Sequence, residues 1–311
     1  MSPAPTRIWI GVTDNDWFRF LREQPGIDEV CFWKPGQGPM FRALRPGELF
    51  LFKLHSPLNY IAGGGFFVSS GRFPFNLLWD TFGQKNGTAS KPDLKRSIEK
   101  YRKRPVNPTD EIGSILLSQP FFWDRSDWLP VPSDFAKNIV MGKTYTVDSA
   151  VGRELWEQVE LRLRATAPLL LEESGEPAPM YSEPVLARRR LGQSTFQILI
   201  TENYQRRCAV TGEKALPALD AAHILPVKDG GQHRLNNGLL LRTDVHRLFD
   251  AGYVTITPDG RFLVSRRIKD DFDNGEPYMP FHDQKIWMPG DPMNRPDRRA
   301  LERHADEVFL R

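Results

Sequence analysis

Three side chains in the last third of the chain have the types and spacing of a hydrolytic site. His223 closes the apolar run Leu219-Asp-Ala-Ala-His-Ile-Leu-Pro226. Asn237 lies 14 residues on, in Asn236-Asn-Gly-Leu-Leu-Leu241, and His246 follows 9 residues later, in Asp244-Val-His-Arg-Leu-Phe-Asp250. Imidazole titrates near working pH, so a histidine can take a proton from water. A second histidine can hold a divalent cation. Phosphodiester hydrolysis needs a deprotonated, aimed water, neutralised charge in the transition state and a stabilised leaving oxygen. One histidine base and one cation cover all three.

The local sequence supplies elements to position these groups. Residues 219–225 and 238–241 read as two strands, joined by a loop that contains Lys228-Asp-Gly-Gly231. Residues 244–250 read as a short helix stopped by Gly252. Upstream, Ser194-Thr-Phe-Gln197 matches a capping box, so a helix is expected to begin there, with Phe196, Leu199, Ile200 and Tyr204 on one face. Downstream, residues 253–257 and 261–265 flank Pro258-Asp-Gly260, a hairpin signal. Residues 297–310 form a last expected helix, with Leu301, Ala305, Val308 and Phe309 inward.

This strand–loop–strand–helix unit resembles the HNH family of ββα-metal nucleases over residues 195–255, and within it a restriction-type subgroup. The words that carry the likeness are Ala-Ala-His-Ile, Asn-Gly-Leu-Leu-Leu and His-Arg-Leu-Phe-Asp. The resemblance implies an endonuclease in which His223 is the general base, Asn237 orients the loop and His246 holds a divalent metal, Mg²⁺ or Mn²⁺. Many members carry Asp or His just before the base; here that position is Ala222. Asp220 shares the strand face of Ala222 and is the expected substitute ligand. Some members also carry paired Cys-x-x-Cys knuckles. Cys208-Ala-Val-Thr211 offers one sulfur, so no structural zinc is expected and Cys208 reads as a buried apolar residue. His233 is expected to be solvated or to touch a phosphate, and His304 to play a packing or supporting role.

At 311 residues the chain has room for two domains, and 40% hydrophobic with 26% charged residues is ordinary globular composition. A net charge of +3 permits nucleic-acid binding without arguing for it. Basic residues cluster in 91–104, in Arg188-Arg-Arg190 and in Arg206-Arg207, where they could neutralise phosphates. Two distant cysteines form no disulfide framework, no apolar run reaches the roughly 20 residues of a membrane span, and the start lacks a signal-peptide core. A cytoplasmic location and no membrane partner are the expectations.

Residues 168–184 contain four prolines and four glutamates, which argues against a continuous helix or strand. The expected division is a first domain over 1–165, a linker over 166–184 and a nuclease domain over 185–311. The first domain reads as strands at 8–12, 30–33, 48–54, 60–69 and 112–123, with helices at 14–22, 75–82, 91–102 and 152–164. Its segments Gly47-Glu-Leu-Phe-Leu-Phe-Lys-Leu-His-Ser56 and Tyr60-Ile-Ala-Gly-Gly-Gly-Phe-Phe-Val68 resemble the PUA-like superfamily, whose EVE, YTH and SRA groups bind modified bases. That resemblance implies a PUA-like mixed β-barrel with helices and an aromatic pocket for a flipped base. Trp33, His55, Ser56, Trp79 and Trp123 are the candidate pocket residues. The chain as a whole is then expected to be α+β. The two resemblances together imply a modification-dependent restriction endonuclease acting on modified, double-stranded DNA. A homodimer is expected because one HNH site normally cuts one strand. The alternatives are an HNH nuclease without modified-base dependence (nonspecific, toxin-like or RNA-directed) and a non-catalytic nucleic-acid-binding protein.

Overall fold

Runs of Ile, Leu and Phe build the first part of the molecule around one mixed sheet. The computed structural model describes residues 7–35, 39–174 and 192–311, with the backbone alone for 165–174. The chain divides into two units, residues 1–189 and 190–311. In the first, the order is β1 (Arg7–Thr13), α1 (Asn15–Arg22), β2 (Glu29–Lys34), β3 (Leu49–Leu54), β4 (Tyr60–Pro74), α2 (Phe75–Phe82), α3 (Lys91–Arg102), β5 (Glu111–Phe122), β6 (Leu129–Pro130), β7 (Gly142–Thr146) and α4 (Ala150–Ser174). The sheet runs β2-β5-β4-β3-β1-β7, with β6 paired to β4. β1 and β3 are parallel, Ile8 opposite Leu49 and Ile10 opposite Leu51. The remaining pairs are antiparallel.

β3 is apolar on both faces because both faces are covered. Leu49 and Leu51 join Ile8, Ile10, Ile61, Trp156 and Val159 on one side. On the other side, Phe52 meets Trp17 of α1 edge-on, with ring centroids 5.3 Å apart. Asp14 caps α1 by accepting from the backbone N–H groups of Asp16 and Trp17. The glycines of β4 answer a close approach of strands: a Cβ on Gly63 would lie 2.2 Å from the carbonyl oxygen of Phe121. The ladder between β4 and β5 is irregular in that stretch, with a register shift between Gly64 and Phe66.

Two features differ from the sequence reading. β6 and β7 were not expected; β7 is Gly-Lys-Thr-Tyr-Thr with only Tyr145 buried, so it carries little apolar alternation. α4 runs to Ser174, so the expected linker over 166–184 begins inside a helix. Pro168 removes one helical hydrogen bond, and the helix nevertheless continues through the Leu and Glu residues that follow it. Residues 175–184 of that linker lie outside the described residues.

The second unit contains α5 (Gln193–Asn203), β8 (Leu219–His223), β9 (Gly238–Arg242), α6 (Thr243–Asp250), β10 (Val254–Ile256), β11 (Phe262–Val264), α7 (Arg267–Phe272) and α8 (Arg298–Glu307). β8 pairs antiparallel with β9, and β10 with β11. Phe196, Ile200, Tyr204, Leu239, Leu241, Val245, Phe249 and Leu301 share one core. Gly238 lets α5 lie against β9, since a Cβ there would come 2.2 Å from Ile200 Cδ1. The capping box is not formed: Gly192 is the N-cap of α5, and Ser194 is buried within the helix. Val308 falls past the end of α8 and is exposed, whereas His304 turns inward and is buried.

Candidate functional site

β8 carries His223 to the rim of the second unit, and α5 fixes its ring. Phe196, fully buried, lies flat against the imidazole with centroids 4.1 Å apart and 10° between planes. Nε2 of His223 is 3.1 Å from Nδ1 of His233, which the intervening loop brings back. Burial first, then the neighbouring His233 and His246, push the His223 pKa down to about 4. His223 is therefore neutral at pH 7.

Asn237 sits in the turn before β9 and is buried. Its Oδ1 accepts from the N–H of Leu225 at 2.9 Å, and its Nδ2 donates to Leu225 O at 2.9 Å and Gln232 O at 3.0 Å. Both ends of the loop are thereby tied to one side chain: the segment just after His223 and the residue just before His233.

His246, on α6, stands between two carboxylates. Its Nδ1 is 3.3 Å from Asp220 Oδ2, and its Nε2 is 3.3 Å from Asp250 Oδ2, one helical turn on. The Asp250 carboxyl is raised above its ordinary pKa by burial and by the charge of Asp220, against the pull of His246 and Lys228. Two carboxylates that repel across one imidazole fit a divalent cation, and Asp220 with His246 Nδ1 offers the oxygen and nitrogen donors it would take. Among the described residues no three His, Cys, Asp or Glu side chains converge on one point. Such an ion would therefore keep several waters, as Mg²⁺ commonly does. Cys208 is buried, and its Sγ accepts from the N–H groups of Thr211 and Arg242, at 3.4 and 3.3 Å.

The first unit contains a cavity of about 360 Å³, within the range of small-molecule sites. Trp9, Trp17, Phe32, Trp33, Phe41 and Phe50 give it aromatic walls, and Asp14, His55 and Tyr101 supply polar groups. Asp14 Oδ2 accepts from the Tyr101 hydroxyl at 2.5 Å, while its Oδ1 caps α1. Burial raises the Asp14 pKa, but Tyr101, the two helix N–H groups and His55 outweigh it, and the net shift is downward. A carboxylate thus stands charged at an aromatic cavity whose rim, Tyr101, Val140 and Met141, is exposed.

The structure places Asp220 and His223 on β8, Asn237 in the turn before β9 and His246 on α6, with Asp220 against His246. Of the pocket candidates, Trp33 and His55 line the cavity. Ser56, Trp79 and Trp123 do not: Ser56 lies in an exposed turn, Trp79 is half-buried on α2, and Trp123 packs in the core beneath Arg162. His233 is not a solvated bystander but touches His223. Asp250 was missed, although its spacing of four from His246 on a helix is the signal. The basic run over 91–104 is largely engaged within the unit: Lys91 with Asp80, Lys95 with Glu99, Arg96 with Asp93, and Arg102 and Arg104 with Asp110. Arg188 to Arg190 lie outside the described residues. No helix among the described residues is long and apolar enough to cross a membrane.

Residues 208–257 match the family HNH_2, described as HNH endonuclease. No curated protein matches the chain. Among solved structures, the chain is similar to an ASCH protein from Zymomonas mobilis, at 10% identity and TM-score 0.30 over 48% of this chain and 92% of that one. It is also similar to a modification dependent TagI restriction endonuclease, at 13% identity and TM-score 0.27 over 96% of this chain and 82% of that one.

Proposed function

We propose that this chain, whose second unit carries an HNH endonuclease domain, is a modification-dependent DNA endonuclease. In this reading the first unit takes a modified base into its aromatic cavity, and the second hydrolyses phosphodiester bonds. The observation that carries the nuclease half is His223, a half-buried imidazole stacked on Phe196 with its pKa pushed down to about 4. It is unprotonated at neutral pH and so is ready to take a proton from the attacking water. Asn237 holds the loop that presents it. His246 and Asp220 would hold Mg²⁺ or Mn²⁺, and Asp250, facing His246 Nε2, would keep Nδ1 turned toward Asp220. Such a cation supplies neutralisation of charge on the phosphate and on the leaving oxygen.

The reading half rests on the cavity. A base flipped from the duplex would stack between aromatic rings and be read at its edge. Asp14 Oδ2 keeps a lone pair beyond the one used by Tyr101. A carboxylate accepts from an exocyclic amino group such as cytosine N4, so the reading favours an amino-bearing base, modified cytosine first. The substrate would be double-stranded DNA, and a homodimer on DNA would supply one site per strand. The test is digestion of cytosine-modified and unmodified duplexes with Mg²⁺ or Mn²⁺. Preferential cutting of modified duplex is expected; equal rates would overturn the reading half, and no cleavage with either ion would overturn the nuclease half.

A further inference from the structure

The loop between β8 and β9 folds a second imidazole, that of His233, onto the first. His223 Nε2 and His233 Nδ1 are 3.1 Å apart, so one nitrogen donates and the other accepts. We infer that His233 is a positioning residue that accepts at Nδ1 from the Nε2–H of His223 and so keeps the His223 lone pair on Nδ1. This rests on the reading of His223 as general base. With the opposite polarity, neutral His223 would carry its proton on Nδ1, its Nε2 lone pair would be engaged by His233, and no atom would remain to take a proton from water.

Two surrounding features make the pair rigid. Phe196 lies flat on His223 and meets His233 edge-on, with centroids 5.3 Å apart and 62° between planes. Asn237 Nδ2 donates to the carbonyl of Gln232, the residue before His233, and to that of Leu225, two residues after His223. One buried amide therefore sets the separation of the two rings, which gives Asn237 a second purpose. In the reaction the water O–H bond breaks and an Nδ1–H bond forms on His223; the hydroxide oxygen bonds to phosphorus as the bond from phosphorus to the leaving oxygen breaks, and that oxygen takes a proton from solvent. The Nε2–H bond to His233 then becomes charge-assisted, which stabilises the imidazolium as it forms.

The test combines a rate measurement with a tautomer measurement on the full chain at pH 7.5. In His233→Leu, kcat falls ~10–100-fold with KM changed little, the size of effect seen when a partner that orients a functional imidazole is lost. His233→Asn, whose Oδ1 can stand where Nδ1 accepts, recovers most of the rate. ¹⁵N NMR of the wild type shows His223 protonated at Nε2, and His233→Leu shows a mixture of tautomers. A wild-type His223 protonated at Nδ1 would overturn the inference. So would full activity in His233→Leu, equal loss in the Leu and Asn variants, or a loss confined to KM, which would mark a phosphate contact instead. The NMR arm needs no turnover, so it decides the tautomer even if the chain cuts none of the duplexes tested and the nuclease reading itself fails.

Discussion

Asn237 and Leu225 exchange two hydrogen bonds of 2.9 Å each, amide oxygen to backbone N–H and amide nitrogen to backbone carbonyl. That reciprocal pair fixes the chain two residues beyond His223, and it needs both a donor and an acceptor on one short side chain. Asn237→Asp replaces the donor with a second acceptor facing Leu225 O and Gln232 O. The expected outcome is a stability loss of about 2–4 kcal/mol, from buried groups left unpaired. A cleavage rate lower by roughly 100-fold accompanies it, from misplacement of the base. Denaturant unfolding and single-turnover cleavage measure the two.

Phe196 keeps water from one face of His223. Because burial is the first cause of the low His223 pKa, Phe196→Ala should let it climb from about 4 toward the ordinary 6.5. A base must be unprotonated, so the acid limb of the cleavage profile moves to higher pH in the variant. Cavity formation should cost about 3–5 kcal/mol of stability. An NMR titration of His223 that does not move in the folded variant would separate Phe196 from the effect.

His304 ties α8 to the helix that carries His246. It is stacked on Phe249 at 3.7 Å, with Nε2 donating to the Phe249 carbonyl at 3.0 Å and Nδ1 2.8 Å from the Thr255 hydroxyl. Burial depresses its pKa to about 4, against the pull of the Phe249 carbonyl. Between pH 4 and 6.5 the unfolded chain then binds more protons at this site than the folded one. The stability it confers is complete above pH 6.5 and is lost as the pH falls through about 4. His304→Leu should cost about 1–3 kcal/mol at pH 7.5. The gap to the wild type should narrow at pH 4.5, as read by urea unfolding at the two values.

Asp14 serves α1 as a cap and the cavity as a carboxylate, and Asn separates the two roles. Asn caps a helix as well as Asp, so Asp14→Asn should leave stability within about 0.5 kcal/mol of wild type. It places a neutral amide where the carboxylate would read an amino group. The ratio of affinities for modified and unmodified duplex should fall by ~10-fold or more, in keeping with the value of one base-edge contact. Competition binding is the measurement.

What could be read from the sequence follows locality. β8, β9 and α6 all fall within residues 219–250. Apolar alternation, the Asn-Gly step and a short helix are local signals, so the elements around His223, Asn237, His246 and Asp220 could be read from the sequence. The roles of these residues came only with the family resemblance. The place of His233 could not be read, because a glycine-containing loop gives no periodicity to say where its side chains return. The cavity was harder still. Trp9, Trp33, Phe50, His55 and Tyr101 come from separate elements, and only the sheet order β2-β5-β4-β3-β1-β7 brings them to one place. Tyr101 lies in a run that reads as basic, and Asp14 reads as a helix cap, so neither announces a pocket.

If, as proposed, cutting belongs to the second unit and recognition to the first, one substitution should remove cutting and spare recognition. The most direct test is His223→Ala, assayed for binding and digestion of modified and unmodified duplex in the same sample. Wild-type preference in binding is expected, together with a cleavage rate lower by ~10²–10⁴-fold, the usual worth of a general base. Cleavage at the wild-type rate by this variant would contradict the proposal.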